Sequence, residues 1–202
     1  MSVIWANELV GGRLAELQRL DGAVYQAVVR TDTPGLDGAM RRLSQSADYS
    51  KLSVAAAAML AVAGGERGRR AAASGLAMDG LTSMVVNLGM KPLGRRHRPA
   101  RDMHRVVLSR RVPMPASASF PSGHSACAFA FAAGAGRVLP AAGVMLRALA
   151  TVVSYSRVHT GVHYPGDVIA GALIGSVIAD LSADAVDGRL SHIWTKLSSR
   201  SS

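Results

Sequence analysis

The chain has 202 residues, room for one domain, and its single cysteine, Cys127, excludes an intrachain disulfide and is interpreted as a packing residue. Hydrophobic residues make up 49% of the chain and aromatic residues only 4%, a composition that favours close-packed helices over a β-sandwich. The net charge of +10 is compatible with binding to nucleic acid or to an acidic membrane, so its distribution along the chain has to decide between them.

Hydrophobic periodicity predicts an all-α protein. From Leu9 to Val28, apolar residues recur at helical spacing between charged ones, which predicts an amphipathic helix that lies on a membrane surface or caps a bundle. Thr31–Asp37 reads as a turn, and a short basic helix is predicted at Leu36–Ser46. Five mostly apolar helices follow, predicted at Leu52–Gly65, Ala71–Met90, Ser122–Leu139, Gly143–Tyr155 and Asp167–Leu181.

These apolar segments predict a polytopic membrane bundle of about five transmembrane helices plus the N-terminal amphipathic helix. Several of them are shorter than the roughly twenty apolar residues of a full span, but five such segments separated by charged turns favour membrane insertion. The predicted organisation is an interfacial segment at 1–50, a transmembrane bundle at 51–181 and a polar C-terminal tail at 182–202. Asp79 and Arg147 are predicted to face the bundle interior as structural polar groups.

A cluster of basic residues stands between the second and third predicted spans. Eight of the 23 Lys and Arg residues fall between Lys91 and Arg111, which predicts one anionic target at one place, such as a phosphate or a lipid head group. No Cys/His cluster has the spacing of a zinc site.

Three short blocks of chemically useful residues lie at the ends of apolar helices. They are Lys91-x6-Arg98-Pro99, Pro121-Ser122-Gly123-His124 and Ser156-Arg157-x5-His163-x3-Asp167. Because consecutive helices alternate in direction, these ends emerge on the same side of the bundle. The topology therefore predicts that the three blocks form one site.

The residue types in these blocks suit phosphate-ester hydrolysis, which needs a nucleophile, an acid and fixed positive charge. His163 is the candidate nucleophile, and Asp167 is placed to accept the N–H of its other ring nitrogen. His124 is the candidate acid, which would protonate the leaving oxygen and then activate water.

The phosphoryl oxygens need cationic and N–H partners. Arginine and lysine bind such oxygens, and a helix N-terminus adds a hydroxyl and backbone N–H groups. The candidates for this role are Lys91, Arg98, Ser122, Gly123 and Arg157. Three further histidines fit no required role and are predicted to be surface residues: His97, His104 and His159.

Together the three blocks resemble the signature of the type 2 phosphatidic acid phosphatase family, whose site is related to that of vanadium haloperoxidases. The chain matches every specified position of Lys-x6-Arg-Pro, Pro-Ser-Gly-His and Ser-Arg-x5-His-x3-Asp, and the resemblance spans about Leu52 to Leu181. It implies an all-helical bundle and a metal-independent reaction without a cofactor, in which His163 forms a transient phosphohistidine and His124 is the acid. Membrane members commonly have six spans, whereas this sequence predicts five. Leu36–Leu60 also looks like the phosphatase part of actinobacterial proteins fused to a lipid kinase domain.

The resemblance implies a membrane phosphatase that hydrolyses a lipid phosphate or pyrophosphate. Phosphatidate, phosphatidylglycerol phosphate and polyprenyl pyrophosphate are all compatible substrates. The expected partners are the lipid and the membrane, not nucleic acid, and the oligomeric state stays open. Two alternatives are a lipid phosphotransferase that uses the same phosphohistidine and a non-catalytic basic protein that binds membrane or nucleic acid.

Two observations disagree on the side of the membrane at which the site lies. In the five-span arrangement the side that carries the three blocks holds fifteen Lys and Arg residues and the opposite side seven. The positive-inside rule would place the site in the cytoplasm. The family resemblance implies the outer face of the cell membrane, and this is the expectation adopted.

Overall fold

The protein is described here by a computed structural model, which covers residues 2–94 and 96–198. Arg95, a member of the basic cluster, lies outside the described residues. Within them the chain forms helices and no strand, as the sequence predicted. The α-helices are α1 (Ser2–Arg30), α2 (Pro34–Ser46), α3 (Lys51–Ala63), α4 (Gly65–Met84), α5 (Gly123–Val138), α6 (Pro140–His159) and α7 (Pro165–Ser198).

Helix α5 is the centre of the bundle and packs against α4, α6 and α7. Small residues make this packing possible, as at helix contacts in membranes. A Cβ on Gly175 of α7 would lie 2.0 Å from the carbonyl oxygen of Ala126, and a Cβ on Gly143 of α6 would lie 2.5 Å from the Cα of Gly136. The Gly- and Ala-rich composition thus allows backbones to approach closely around α5.

The α3–α4 junction is tighter than the sequence predicted. The charged segment after Gly64 was read as a turn, but helix α4 begins at Gly65. Two features explain the difference: Arg70 forms an i,i+4 ion pair with Glu66 at 2.5 Å, and Gly68 leaves room for the carbonyl oxygen of Leu60.

Three other helices have bounds that differ from the prediction. The predicted helix Ala71–Met90 ends in a π-helical turn at Val85–Met90, directly before Lys91. Such turns insert one residue and are frequent at functional sites. Helices α6 and α7 are both longer than predicted, and α7 runs beyond Leu181 into the polar C-terminal segment, to Ser198.

The second half of α1 caps the bundle at the end that carries the three sequence blocks. Tyr25 and Val29 are buried against Val106, Val158 and Val168. The preceding apolar residues of α1 that the structure describes are exposed, namely Leu14, Leu17, Leu20 and Val24. The side chains of Leu9 and Val10, part of the predicted amphipathic face, lie outside the described residues.

A buried polar network joins α1 and α2 to the end of α6. The Nε atom of Arg110 donates to Oδ1 of Asp37 at 2.7 Å, and its Nη2 atom donates to the carbonyl oxygen of Thr31 at 2.6 Å. His159, which was predicted to be a surface residue, is fully buried, with its Nε2 3.0 Å from the hydroxyl of Thr33. The surface prediction for His159 was wrong because its partners come from more than 120 residues away in the chain.

We expect Arg110→Met to destabilise the fold by about 3 kcal/mol or more, because it leaves the Asp37 carboxylate without its cation in a buried position. The measurement is the thermal unfolding midpoint of the purified protein in detergent. Arg111→Met is the matched control, since the Asp102 carboxylate that Arg111 pairs with is exposed. Equal midpoints for the two variants would contradict a structural role of the Arg110 pair.

One described helix is long and apolar enough to cross a membrane by itself, at Pro165–Trp194 with a mean hydropathy of 1.6. Helix α3 is apolar but shorter. Asp79 is buried, as predicted, and accepts a hydrogen bond from Ser53 at 3.2 Å. The prediction for Arg147 was wrong: it lies on the exposed side of α6.

Candidate active site

The loop between α6 and α7 places His163 in a buried position between a cation and a carboxylate. The Nη1 atom of Arg98 lies 3.2 Å from Nε2 of His163, while Nδ1 of His163 lies 3.4 Å from Oδ2 of Asp167. A guanidinium can only donate, so Nε2 is the acceptor nitrogen and Nδ1 carries the proton. In this tautomer the ring lone pair is on Nε2, where it accepts the hydrogen bond from Arg98.

Asp167 stands at the start of α7 and is held by several donors. Its Oδ2 accepts hydrogen bonds from the Ser119 hydroxyl at 2.5 Å and from the backbone N–H of Tyr164 at 2.9 Å. Its own carbonyl oxygen accepts the N–H of Ser122 at 2.9 Å, which ties the first turn of α7 to the start of α5. The carboxylate is therefore a fixed orienting group for the His163 ring.

The environment of His163 favours the neutral imidazole. Burial and the nearby charge of Arg98 lower the pKa of His163 to about 4, against the opposing hydrogen bond to Asp167. A neutral ring is the form that can act as a nucleophile. The lowered pKa thus keeps the His163 ring neutral at neutral pH.

We expect the His163 ring to remain neutral from pH 8 down to about pH 5, below the usual histidine pKa of about 6.5. Its protonated form would gain population only as the pH falls toward the lowered pKa. ¹⁵N NMR of histidine-labelled protein in detergent measures this, with the His163→Asn variant supplying the assignment. A His163 signal that titrates near pH 6.5 would contradict the burial argument.

His124, the second predicted catalytic histidine, begins α5 and pairs with Asp48. The Nε2 atom of His124 lies 2.9 Å from Oδ1 of Asp48, and Nη1 of Arg157 lies 3.3 Å from the same oxygen. The hydrogen bond from His124, followed by the charge of Arg157, lowers the pKa of Asp48. Asp48, in the short 3₁₀ turn before α3, is a site residue that the sequence reasoning missed.

Arg157 is almost completely buried, and not all of its N–H donors have a partner among the described residues. Its Nη1 atom donates to the carbonyl and the hydroxyl oxygen of Ser44, at 2.9 and 2.8 Å. Its Nε has no hydrogen-bond partner among the described residues. Buried donors are nearly always satisfied by protein groups or by water, so this N–H is available to a water molecule or an anion in the site.

Lys91 and Arg98 converge on Ser117, in the loop before α5. The Ser117 hydroxyl lies 3.4 Å from Nζ of Lys91 and 3.3 Å from Nη2 of Arg98. Burial, followed by the charges of Arg98 and Arg157, lowers the pKa of Lys91. A bound anion would relieve this repulsion between the three cations.

The start of α5 supplies backbone N–H groups next to Lys91. A Cβ on Gly123 would lie 3.4 Å from Nζ of Lys91, an ordinary contact distance, so the lysine amine lies close to the N-terminus of α5. Ser122 is fully buried, and its hydroxyl caps α5 by accepting from the N–H of Ser125. In this structure the Ser122 hydroxyl is therefore the N-cap of α5.

A chain of ion pairs extends from this site to α1. Arg96 donates from Nη1 to Oδ1 of Asp167 at 2.8 Å and from Nη2 to Oδ2 of Asp21 at 2.5 Å, and its guanidinium stacks over the ring of Tyr164. Asp21 also accepts the N–H of Gly166 at 2.7 Å. Asp21 and Arg96 therefore orient Asp167, and the sequence reasoning assigned no such role to either of them.

We expect Arg96→Gln and Asp21→Asn each to lower kcat about tenfold to a hundredfold with little change in KM, because outer partners orient the groups that react. Loss of the Arg96 charge should also raise the apparent pKa of the acid limb of the pH–rate profile, since Asp167 would then hold a proton on His163 more strongly. Steady-state kinetics across pH measures both. Arg137→Gln is the control, because it breaks an exposed ion pair with Asp187 at the C-terminal end of α5, away from the site. A drop in thermal stability with an unchanged pH profile would show a merely structural role.

Only part of the basic cluster faces this site. Arg101 donates to the carbonyl oxygen of Val112 and Arg111 pairs with Asp102, so both stabilise the loop. His97 is exposed, as predicted, whereas His104 is half-buried against the ring of Tyr25. In the part of the chain that the structure describes, no three His, Cys, Asp or Glu side chains converge as a metal-binding group.

Comparison with known proteins assigns the family. The model of the PAP2 superfamily matches residues 71–189. The chain is 31% identical to decaprenylphosphoryl-5-phosphoribose phosphatase of Mycobacterium tuberculosis over 168 residues, which cover 82% of this chain and 88% of that protein. The chain therefore belongs to the PAP2 superfamily, and the resemblance inferred from the three blocks is confirmed.

Two further relatives extend the comparison. An undecaprenyl-diphosphatase of Sulfolobus acidocaldarius is 46% identical over 74 residues, a match that covers 35% of this chain and only 34% of that protein. Among solved structures, a transmembrane PAP2 type phosphatidylglycerolphosphate phosphatase from Bacillus subtilis superposes with a TM-score of 0.62 at 25% identity, covering 88% of each chain. The fold is therefore shared with a transmembrane phosphatase.

Proposed function

We propose that this protein is a membrane phosphatase that hydrolyses a lipid phosphate or pyrophosphate through a phosphohistidine on His163. The observation that carries the proposal is the environment of His163, whose Nε2 meets Arg98 while its Nδ1 meets Asp167. That arrangement presents a neutral nucleophile directly beside a cation that can hold a phosphoryl oxygen.

In the first half-reaction, Nε2 of His163 attacks phosphorus and the bond from phosphorus to the leaving oxygen breaks. His124 gives its proton to that oxygen, so the lipid departs as an alcohol or, from a pyrophosphate, as a monophosphate. In the second half-reaction, His124 takes a proton from water, the oxygen of which attacks phosphorus. The phosphorus–nitrogen bond then breaks, which releases phosphate and restores both rings.

Three cations and a helix terminus stabilise the phosphoryl oxygens as charge develops. Lys91 and Arg98 approach from the loop, and Arg157 approaches from the end of α6. The N–H of Gly123 adds the positive end of the α5 dipole. On this assignment Asp48 positions His124, and the Ser122 hydroxyl acts through the helix cap rather than on the phosphate.

A cavity beside these groups suits a lipid. It has a volume of about 490 Å³, and its lining includes Lys91 and His124. Leu52, Ala128 and Val153 line this cavity and also an apolar groove between α3 and α6 that continues to Phe131 and Leu149. A ligand with its phosphate at Lys91 would therefore meet apolar side chains at the entrance of this groove, whose volume of about 30 Å³ is too small for a whole hydrocarbon chain. The substrates named for the relatives above are all lipid-linked phosphates, which supports the same class here.

We place helices α3 to α7 in the membrane as five spans, with α1 and α2 at its surface. Large apolar side chains face outward from these helices, including Met59, Leu76, Met145 and Leu173. Several helices are shorter than a full span, and local thinning of the bilayer is one way to accommodate such mismatch. The proposed active site opens at the outer face of the cell membrane, as the family resemblance implies.

Sidedness is tested with one introduced cysteine in a Cys127→Ser background. His97→Cys places a thiol in the exposed loop of the active-site end, and Arg69→Cys places one at the start of α4, the opposite end. A membrane-impermeant maleimide added to intact cells should label the first and not the second. The reverse pattern would place the site in the cytoplasm, as the count of positive charges does.

The activity is tested with purified protein in detergent, in EDTA, against phosphatidate, phosphatidylglycerol phosphate and a polyprenyl pyrophosphate. We expect release of inorganic phosphate that vanadate inhibits. Transfer of the phosphate to an added alcohol instead of water would identify a phosphotransferase. No release from any of the lipids, with folded protein, would overturn the proposed function.

A further inference from the structure

The cavity of about 490 Å³ that Lys91 and His124 line is called the catalytic pocket below. A second cavity of about 440 Å³, which is open to the protein surface, adjoins it on the side of α4. Ser50, Ser83 and Asn87 line both cavities, and Asp79 lines the second one. These four residues are called the polar subsite below. None of the described residues that line the second cavity is Lys or Arg. The catalytic pocket therefore has an apolar side toward α6 and a hydroxyl- and carboxylate-bearing side toward α4.

The polar subsite begins where the phosphate would bind. The Oδ1 atom of Asn87 and the Nζ atom of Lys91 each lie 3.4 Å from the position of a Cβ on Gly123. The π-helical turn carries Asn87 and ends directly before Lys91. The Nδ2 atom of Asn87 donates to the Ser83 hydroxyl at 3.0 Å, which orients the amide. The group that bears a phosphate held by Lys91 would therefore meet Asn87 first.

Asp79 is a carboxylate inside a bundle that is otherwise rich in Ala, Gly and Val. Its hydrogen-bond partners are the hydroxyls of Ser50 and Ser53, and no cation is paired with it among the described residues. Ionisable residues at membrane depth are costly and mark functional sites by default. Because Asp79 lies beside the catalytic pocket, its side chain can accept hydrogen bonds from hydroxyl groups of a bound molecule.

The backbone conformation of Ser50 also favours a ligand-binding role for the polar subsite. Its φ of 55° lies in the left-handed region, which is uncommon for a residue other than glycine. Such strain persists where the surrounding structure requires it, often at ligand sites. Ser50 links the 3₁₀ turn that carries Asp48, the partner of His124, to the first turn of α3.

We infer that the polar subsite binds hydroxyl groups of the substrate close to the scissile phosphate, so that the preferred substrate is a lipid-linked phosphorylated polyol or sugar. This inference rests on the proposed function and narrows it. Hydroxyls can donate to Asp79 and to Oδ1 of Asn87 and can accept from Ser83. The second phosphate of a pyrophosphate would meet no Lys or Arg among the described residues that line the second cavity.

A matched pair of substrates that differs by one hydroxyl tests the inference. The pair is 1-O-dodecylglycerol 3-phosphate and its 2-deoxy analogue, 3-dodecyloxypropyl phosphate, with dodecyl diphosphate as a third substrate. We expect kcat/KM for the hydroxylated lipid to exceed that for each of the others by about tenfold or more, as a site built to hydrogen-bond a hydroxyl rejects its deoxy analogue. Equal rates for the pair, or the diphosphate as the best substrate, would overturn the inference.

Variants of the polar subsite test which residues cause the preference for the hydroxylated lipid. Asn87→Ala and Ser83→Ala should each lower the ratio of the two rates at least fivefold, by slowing the hydroxylated lipid more than its deoxy analogue. Ser176→Ala, which removes a hydroxyl that bonds within α7, is the matched control and should keep the ratio. A ratio that survives in both subsite variants would overturn the assignment to these residues. Failure to release phosphate from all three lipids would instead count against the proposed function.

Discussion

Replacing His163 by Asn is expected to lower kcat/KM by about a thousandfold or more while the protein stays folded. The variant keeps a polar side chain of similar size in the buried position but removes the nitrogen that we propose attacks phosphorus. Loss of a covalent nucleophile removes the reaction path itself, so the effect exceeds that of losing one binding group. The measurement is phosphate release at saturating and limiting substrate, with the thermal unfolding midpoint as the check on folding.

The matched control for this variant is His97→Asn, the same substitution in the exposed loop before Arg98. It should retain activity within about twofold, because His97 has no part in the proposed reaction. Residual activity of His163→Asn within tenfold of the unmodified protein would remove His163 from the nucleophile role.

Replacing His124 by Ala is expected to give a loss that depends on the leaving group. An alkoxide leaves poorly without a proton, so turnover of an alkyl phosphate should fall by about a hundredfold or more. The anion of p-nitrophenol leaves without help, so formation of the phosphohistidine from p-nitrophenyl phosphate should fall much less. Single-turnover kinetics with the two substrates measures the difference.

An equal loss for the two leaving groups would argue against the acid role of His124. Asp48→Asn serves as a comparison, because it keeps a hydrogen-bond acceptor for Nε2 of His124 but removes the charge. It should show a smaller loss with the same dependence on the leaving group. These two variants thus separate proton transfer from phosphate binding.

The sequence was sufficient to predict the helices and the family because both leave local signals. Apolar runs predicted α3 and α5 close to their observed positions, and three ordered motifs predicted the PAP2 superfamily. Alternation of helix direction explained why the three motifs meet at one end. The structure does bring Arg98, Asp167 and His163 together there.

The partners of the motif residues could not be predicted, because each comes from a distant and unremarkable position. Asp48 reaches His124 across 76 residues, and Asp21 reaches Arg96 across 75. A single Asp within a helical pattern is ordinarily a surface residue. Only the packing of α1 against the loops shows that Asp21 orients the site.

The sequence also could not predict which polar residues of the apolar helices are buried. Hydropathy ranks Asp79 and Arg147 alike as polar residues in apolar segments, yet one is buried and the other exposed. The difference depends on rotation about the helix axis, which is set by contacts with neighbouring helices. Two serine hydroxyls near Asp79 satisfy it inside the bundle.

The most direct test of the account is the chemical nature of the phosphorylated intermediate. Purified protein quenched during turnover of a ³²P-labelled lipid phosphate should carry label that is acid-labile and stable to alkali, as expected for a phosphorus–nitrogen bond. The label should be absent from His163→Asn and should persist in His124→Ala, where hydrolysis of the intermediate is slowed. Acid-stable label, or label that remains in His163→Asn, would contradict the account.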